Sequence, residues 1–301
     1  MSTIEPLLAE RKSLHVHPRD DRFARTAMLD LDATTRLAGE DGNYRITLSP
    51  AWNAWGPNGG YLAAVALRAA GMCAQIRRPA SLYCHFLSSP RFAEVELVVE
   101  FIKQGRRSES LSVQMRQEGK PVLQALVRTA AEASGYEHQH VSVPVVPAPD
   151  HLLSYDDLED ERAERRRYEF WSNVEARPTQ QNVGEPSWRA VVRDWVRFRP
   201  QPTFDDPFVD AARALILLDA YGWLSAWAVY RGDRYFAPNL DTSVWFHDFR
   251  PQSEWLLIDH ACPIAYDGLL GVQGNVWDRH GRLLASGSAQ LCCLPIEKSP
   301  V

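Results

Sequence analysis

The sequence DTSVWFH at residues 241–247 has a counterpart, SLYCHFL, at residues 81–87. Each is followed by three segments rich in valine, leucine, isoleucine and aromatic residues, and a short glycine-containing turn separates the last two. Segments of this composition with partial alternation favour antiparallel strands joined as hairpins. When Phe86 is aligned with Phe246, the two copies lie 160 residues apart. The chain therefore contains an internal repeat, with an antiparallel meander in each half.

A helix-length apolar segment lies ahead of each meander, at residues 59–71 in the first half and 210–227 in the second. Both segments are apolar on nearly every face, which indicates helices enclosed by a sheet. One further strand is predicted before each helix, at residues 44–49 and 189–198. Each copy should therefore fold as a strand, a buried helix and three or four antiparallel strands, which is an α+β arrangement.

The segment between the copies, residues 138–187, has many charges, several prolines and little periodicity apart from residues 158–171. We interpret it as a charged linker with one exposed helix. The alternative is that it folds back as part of the second copy. The predicted organisation is an N-terminal repeat at residues 22–137, this linker, and a C-terminal repeat at residues 188–297.

The composition of the 301-residue chain excludes several classes of protein. A formal charge of -5 and a pI near 6.0 give no basic surface for a nucleic-acid partner. The five cysteines form no C-x-x-C pair, which argues against a disulfide framework or a metal site and favours the cytoplasm. No signal-peptide core, membrane-spanning stretch, G-x-G-x-x-G run or Walker loop is present, so we expect no membrane partner and no nucleotide cofactor.

Four motifs resemble the acyl-CoA thioesterase II family, whose members have a double-hotdog fold. The sequence NAWGPNGG at residues 53–60 resembles the entry to a hotdog central helix, and LDTSVWFH at 240–247 resembles the strand with the catalytic aspartate. Residues 256–265 and 278–286 resemble the next strand and the last hairpin of the family. Together the likeness covers residues 41–130 and 188–294. It implies two tandem hotdog repeats, each with a long central helix wrapped by an antiparallel sheet.

This resemblance implies that Asp241 is the general base, which activates the attacking water or attacks the thioester directly. The aligned residue of the first copy is Ser81, which cannot act as a base without a partner, so the chemistry is expected in the second copy. Thr242 would help to orient the water. The alternative is that Asp241 caps a strand or makes a hydrogen bond in a turn.

Two departures from the family pattern concern the residues expected to hold the water. Cys262 stands where a serine or threonine is usual, and a thiol is a poorer hydrogen-bond partner. Gln290 lies nine residues after the hairpin glycine, Gly281, where the family glutamine lies eight after it. Because side chains alternate faces, Gln290 would point away from the site unless a bulge near Gly287 restores the register.

The resemblance also implies a helix N-terminus that polarises the thioester carbonyl. Gly59 and Gly60 supply backbone N–H groups at such an end, where unpaired donors and partial positive charge collect. Asn58 could bind the substrate carbonyl, or it could simply cap the helix.

The expected function is therefore hydrolysis of an acyl-CoA, or another acyl thioester, to the free acid and the thiol, without a cofactor. Two alternatives stay open: a degenerate hotdog protein that binds acyl or polyketide-like ligands, and a hotdog hydratase or dehydratase. A fused pair of repeats makes a monomer feasible, but exposed sheet edges favour a homodimer or larger homo-oligomer.

Overall fold

The computed structural model describes residues 30–158, 168–180, 189–230, 234–249 and 252–296. Its helices are α1 (Leu31–Thr34), α2 (Gly59–Cys73) and α3 (Pro207–Tyr230), and four short 3-10 helices lie at Pro50–Trp52, Pro149–His151, Tyr155–Asp157 and Glu169–Asn173. The strands of the first half are β1 (Ala38–Glu40), β2 (Asn43–Thr47), β3 (Pro79–Phe86), β4 (Glu94–Lys103), β5 (Ser108–Gln117) and β6 (Lys120–Ala130). Those of the second half are β7 (Val174–Pro178), β8 (Val191–Phe198), β9 (Tyr235–Phe236), β10 (Asp241–Phe246), β11 (Leu256–Tyr266), β12 (Leu269–Trp277), β13 (Leu283–Cys292) and β14 (Leu294–Pro295).

Twelve of these strands form one antiparallel sheet, in the order β1-β2-β4-β5-β6-β3-β10-β13-β12-β11-β8-β7. The two halves of the chain meet in its middle, where Ser243 of β10 lies opposite Tyr83 of β3. The repeat-related strands therefore pair with each other, and the two half-sheets become continuous. The predicted duplication of helix and meander is confirmed.

The concave face of the sheet wraps around α2 and α3. Strand residues that alternate inward, such as Val95 and Leu97 of β4 and Val113 of β5, are fully buried against the helices. Most residues of α2 and of the first two thirds of α3 are buried. The helices therefore form the centre of the core, as their all-round apolar sequences predict.

Close packing of the two helices depends on glycine. A Cβ atom built on Gly60 would lie 2.9 Å from the Cα of Ile216 in α3, and one on Gly71 would lie 2.5 Å from the ring of Phe208. Since the start of α2 contacts the middle of α3, and its end contacts the start of α3, the helices run antiparallel. This arrangement brings the N-terminus of α2 against the centre of α3.

The segment expected to be a linker is in large part integrated into the second half. Val174 of β7 pairs with Phe198 of β8, which adds an edge strand to the sheet. The indole Nε1 of Trp195 donates to the carbonyl oxygen of Pro147 over 2.9 Å, and Val143 packs on the same outer face of the sheet. The structure thus agrees with the alternative that this segment folds back on the second copy. Most of the helix predicted at residues 158–171 lies outside the described residues, and residues 169–173 form a 3-10 helix.

Candidate active site

A cavity of about 870 Å3 lies beside the C-terminal half of α3. The helix contributes Asp219, Ala220, Trp223, Leu224 and Trp227 to its wall, a spacing that follows one helical face. Aromatic and apolar groups from both halves of the chain form most of the remaining wall. They include Trp55, Leu62, Phe86, Phe170, Trp171, Val192 and Phe236. Its volume and its mainly apolar lining with a few polar groups are typical of a small-molecule site.

Asp219 is the carboxylate that α3 contributes to this wall. Its residue is only 4% exposed, and its two oxygens accept hydrogen bonds from different parts of the chain. Oδ2 accepts from the backbone N–H of Gly60 and Oδ1 from the side-chain Nδ2 of Asn239, each over 2.6 Å. Burial raises the pKa of Asp219 to about 6, and these two hydrogen bonds partly offset the rise. The group can therefore exchange a proton near neutral pH.

The N-terminus of α2 approaches Asp219 because the helix begins with two glycines. Asn58 caps the helix, and its Oδ1 accepts from the N–H of Tyr61 over 3.0 Å. A Cβ atom on Gly59 would lie 3.1 Å from Oδ2 of Asp219, and one on Gly60 would lie 2.9 Å from the aspartate Cβ. Any larger side chain at Gly60 would push the carboxylate away. The glycine pair thus brings the positive end of a helix dipole to a buried carboxylate.

Asn239 anchors the chain just before β10 to the middle of α3. Its Nδ2 donates to the carboxylate of Asp219 and, over 3.0 Å, to the backbone carbonyl oxygen of the same residue. Asn239 also lines the cavity. The side chain therefore fixes one face of the carboxylate and leaves its own amide oxygen as a further polar group of the site.

Three of the predicted binding residues come together at this point. Asn58 and Gly59 line the cavity, and Gly60 donates directly to Asp219. The first N–H group of α2, that of Gly59, has no hydrogen-bond partner among the residues that the structure describes. The helix entry proposed from the sequence is thus part of the cavity, although Asn58 also serves as the cap.

Asp241 occupies a different position. Thr242 and Val244 of β10 are buried against the helices, so the alternation of the strand turns Asp241 to the opposite face. Its Oδ1 accepts a hydrogen bond from the backbone N–H of Gln290 over 3.0 Å, and no cavity-lining group is contributed by Asp241 or Thr242. The observed bond matches the alternative considered from the sequence, in which this aspartate holds the end of a strand.

Gln290 also points away from the cavity. Strands β12 and β13 pair without interruption from Ala285 to Cys292, so no bulge near Gly287 restores the register. Ala289 and Leu291 are consequently buried, and the side chain of Gln290 is exposed. The extra residue between Gly281 and Gln290 therefore turns Gln290 away from the site, as the sequence predicts.

Cys262 lies in a small apolar cluster behind the cavity. Its neighbours there include Ala237, Val272 and Leu291, and its thiol donates to the carbonyl oxygen of Ile264 over 3.4 Å. Burial raises the pKa of this thiol, so it stays protonated. The structure thus brings neither Cys262 nor Gln290 to the site predicted for them.

The sequence reasoning missed Asp219 and Asn239. The helix segment LILLDAYGW at residues 215–223 has one charge among apolar residues, and a charge on a fully buried helix requires a partner or a function. That feature was available in the sequence. Nothing local indicated Asn239, because its role depends on a contact with a residue twenty positions away.

The opposite end of the helix pair is closed. There the ring of Phe208, at the start of α3, packs directly against Gly71 of α2. The guanidinium of Arg77 covers this ring at 4.7 Å and pairs with Asp206 over 2.8 Å. A residual pocket of about 140 Å3 is left at this end. The two ends of the helix pair therefore differ, and the large cavity forms at the Asp219 end.

Within the described ranges, no cluster of three or more histidine, cysteine, aspartate or glutamate side chains has the geometry to hold a metal ion. None of the described helices is long and apolar enough to span a membrane.

Comparison with solved structures identifies the fold. A hot dog fold protein from Alicyclobacillus acidocaldarius superposes with a TM-score of 0.74 at 18% identity, over 90% of this chain and 98% of that one. An acyl-CoA thioesterase II, TesB2, from Mycobacterium marinum superposes with a TM-score of 0.73 at 21% identity, over 89% of this chain and 99% of that one. The chain is therefore a double-hotdog protein, as its sequence predicts.

The family follows from sequence comparison. Residues 48–130 match the family described as acyl-CoA thioesterase N-terminal domain, and residues 145–294 match acyl-CoA thioesterase C-terminal domain. Human acyl-coenzyme A thioesterase 8 is 27% identical over 224 residues, which are 67% of this chain and 69% of the relative. The chain belongs to the acyl-CoA thioesterase family. The C-terminal match begins inside the segment first interpreted as a linker.

Proposed function

We propose that this protein hydrolyses an acyl-CoA thioester to the free acid and CoA, with Asp219 as the general base. One observation supports this above all: a buried carboxylate with a pKa of about 6 lies in the wall of a large apolar cavity, against a helix N-terminus. Membership of the acyl-CoA thioesterase family supports the reaction class.

In this mechanism the ionised carboxylate of Asp219 accepts a proton from a water molecule as that water attacks the thioester carbonyl. A base with a pKa near 6 is mostly ionised at pH 7 and still basic enough to assist the transfer. Asn239 holds the carboxylate in place, and its amide oxygen can accept a hydrogen bond from the second O–H of the water. The proton held by Asp219 is then available to the departing thiolate.

The carbonyl oxygen becomes negatively charged during the attack and needs donors. The N–H of Gly59 at the start of α2 and the side-chain amide of Asn58 can supply these donors, since both residues line the cavity. A helix N-terminus adds partial positive charge at the same point. The aromatic walls, which include Trp171 and Trp223, exclude water from the acyl group.

Asp241, the base implied by the resemblance, is not retained in this mechanism because it lies on the other face of the sheet from the cavity. A hydratase or dehydratase of the hotdog class would require a histidine paired with an acidic group. No histidine is present among the described residues that line the cavity. Hydrolysis therefore fits these groups better than addition or loss of water at the acyl chain.

The paired variants Asp219→Asn and Asp241→Asn test the proposal. Thiol release from a panel of straight-chain, branched and aromatic acyl-CoAs should fall about 10²–10⁴-fold in Asp219→Asn. It should change by less than about threefold in Asp241→Asn, since this partly buried side chain holds the end of a strand and does not line the cavity. Circular dichroism confirms that both variants fold. Loss of activity in Asp241→Asn with full activity in Asp219→Asn would reverse the assignment, and no release by the native chain would favour a non-catalytic binding protein.

The cytoplasmic location and the oligomeric state expected from the sequence stay predictions. All five cysteines are free thiols in the structure. Size-exclusion chromatography with light scattering would determine whether the exposed sheet edges pair.

A further inference from the structure

A second carboxylate, Asp194, lies on the inward face of β8. The strand alternates so that Asp194, Val196 and Phe198 face the helices, and all three are buried. Asp194 is only 1% exposed. An apolar residue is the normal occupant of such a position, and a buried carboxylate is costly to keep there. The mechanism proposed above does not use this group.

Two tyrosine hydroxyls donate to this carboxylate. The hydroxyl of Tyr221, a fully buried residue of α3, lies 3.0 Å from Oδ2, and that of Tyr155 lies 3.3 Å from Oδ1. Asp194 and Tyr155 both line the cavity that contains Asp219. Three groups from a strand, a helix and a short 3-10 helix therefore form one polar site, which we call the tyrosine–aspartate site.

The tyrosine–aspartate site belongs to the buried end of the cavity. Asp194 is almost fully enclosed, and Trp171, which packs edge-on against Tyr221 at 6.1 Å between ring centroids, lies beside it. Other residues of the cavity wall, Leu87 and Trp55, are 54% and 51% exposed, so the cavity opens to solvent beside them. CoA is large and hydrophilic and stays at the opening. The acyl group consequently occupies the enclosed part, where it meets this site.

From this arrangement we propose that the tyrosine–aspartate site binds a hydroxyl group on the acyl portion of the substrate, so the enzyme prefers hydroxylated acyl thioesters to their unsubstituted analogues. The inference rests on the function proposed above. A substrate hydroxyl donates to the carboxylate of Asp194 and accepts from the hydroxyl of Tyr155, which turns from the carboxylate to the substrate oxygen. The carboxylate already binds two neutral hydroxyl groups, so we expect it to bind a neutral hydroxyl of the substrate in the same way. The surrounding aromatic wall excludes water, so an acyl group without the hydroxyl places apolar atoms against these polar groups and gains no hydrogen bond there.

The test uses pairs of CoA thioesters that differ by one hydroxyl: 3-phenylpropanoyl-CoA with 3-(4-hydroxyphenyl)propanoyl-CoA, and hexanoyl-CoA with 6-hydroxyhexanoyl-CoA. For at least one pair, kcat/KM of the native enzyme should be about 10-fold or more higher for the hydroxylated member. A ratio within twofold of one for both pairs would overturn the proposal while leaving hydrolysis itself intact. Faster hydrolysis of 6-aminohexanoyl-CoA than of the 6-hydroxy compound would overturn the choice of a hydroxyl.

Two variants separate recognition from folding. Asp194→Val continues the apolar pattern of β8, and Tyr155→Phe removes one hydroxyl from a partly exposed residue without changing its ring. Both substitutions should bring the kcat/KM ratio of hydroxylated to unsubstituted substrate closer to one. Thermal unfolding identifies a variant that fails to fold. A folded Tyr155→Phe and a folded Asp194→Val that both keep the native ratio would contradict the role of this site.

A chain that releases no thiol from any substrate would disprove the proposed hydrolysis but not this inference. In that case the same thioesters serve as ligands, and binding is measured by quenching of tryptophan fluorescence, since Trp171, Trp223 and Trp227 line the cavity. Tighter binding of the hydroxylated members, lost in Asp194→Val, would support the site. Equal binding of both members would refute it.

Discussion

Replacing Asp219 by asparagine should make the protein more stable at neutral pH while it removes the base. Burial raises the pKa of this carboxyl from 3.8 to about 6, a difference of about two pH units. At 1.36 kcal/mol per unit, the ionised form costs the folded state on the order of 3 kcal/mol. Because the folded-state pKa is raised, the favourable contribution of the protonated group is complete below pH 4. It is lost as the pH rises through about 6.

The measurement is urea unfolding of the native chain and Asp219→Asn at pH 4.5 and pH 8. The variant should gain up to about 3 kcal/mol in unfolding free energy at pH 8, and much less at pH 4.5. The introduced asparagine keeps an oxygen that accepts the hydrogen bond from the N–H of Gly60. Its amide group meets the amide of Asn239, which must turn to pair with it, so about 3 kcal/mol is an upper value for the gain in unfolding free energy. Equal stability differences at the two pH values would contradict a titrating buried carboxyl at this position.

The pH dependence of the native enzyme's activity should show the titration of Asp219. A general base works when deprotonated, so kcat/KM should fall about tenfold per pH unit below pH 6 and level off above it. A thiol reagent that reacts in acid, such as a dithiodipyridine, allows the rate to be followed from pH 4.5 to 8. A profile without an acid limb in this range would refute Asp219 as the base.

Three further substitutions test the surroundings of the site. Asn239→Leu removes a donor that lowers the pKa of Asp219, so the acid limb of the pH–rate profile should move to higher pH. Gly60→Ala forces α2 and α3 apart and should cost about 1–3 kcal/mol in chemical denaturation. The matched control Gly135→Ala, where a Cβ meets nothing within 4 Å, should be neutral, and equal losses in both would contradict the packing argument. Asp210→Ala leaves the buried guanidinium of Arg213 without its 2.5 Å carboxylate partner and should cost about 3–5 kcal/mol in thermal or urea unfolding.

The architecture was predictable because it depends on local patterns that repeat. The apolar helices at residues 59–71 and 210–227 and the meanders after them follow from hydrophobic periodicity and turn residues, which act over a few positions. The segment at residues 138–187 was less predictable. Its strand Val174–Pro178 has little alternation of its own and is stabilised by pairing with the next strand, β8, a contact that its local sequence does not show.

The helix entry of the site was also predictable, but the choice between the candidate carboxylates needed the structure. Asn58 and the glycine pair form a local motif, and the structure brings them to the cavity. Asp241 shares a motif with the family strand, yet the alternation of β10 turns its side chain away from the helices. Asp219 lies in the middle of a helix and becomes part of the site only because the N-terminus of α2 packs against that turn.

By itself, the sequence determined that the chain is a duplication of a helix-and-meander unit, because periodicity and turn chemistry are written in consecutive residues. Only the tertiary structure decided which carboxylate shares a cavity with the helix entry. That choice depends on the antiparallel contact of α2 with α3 and on the face to which each strand turns. Neither is visible in a local motif, since the helix contact joins residues 159 positions apart and the face of a strand depends on the core against which it packs.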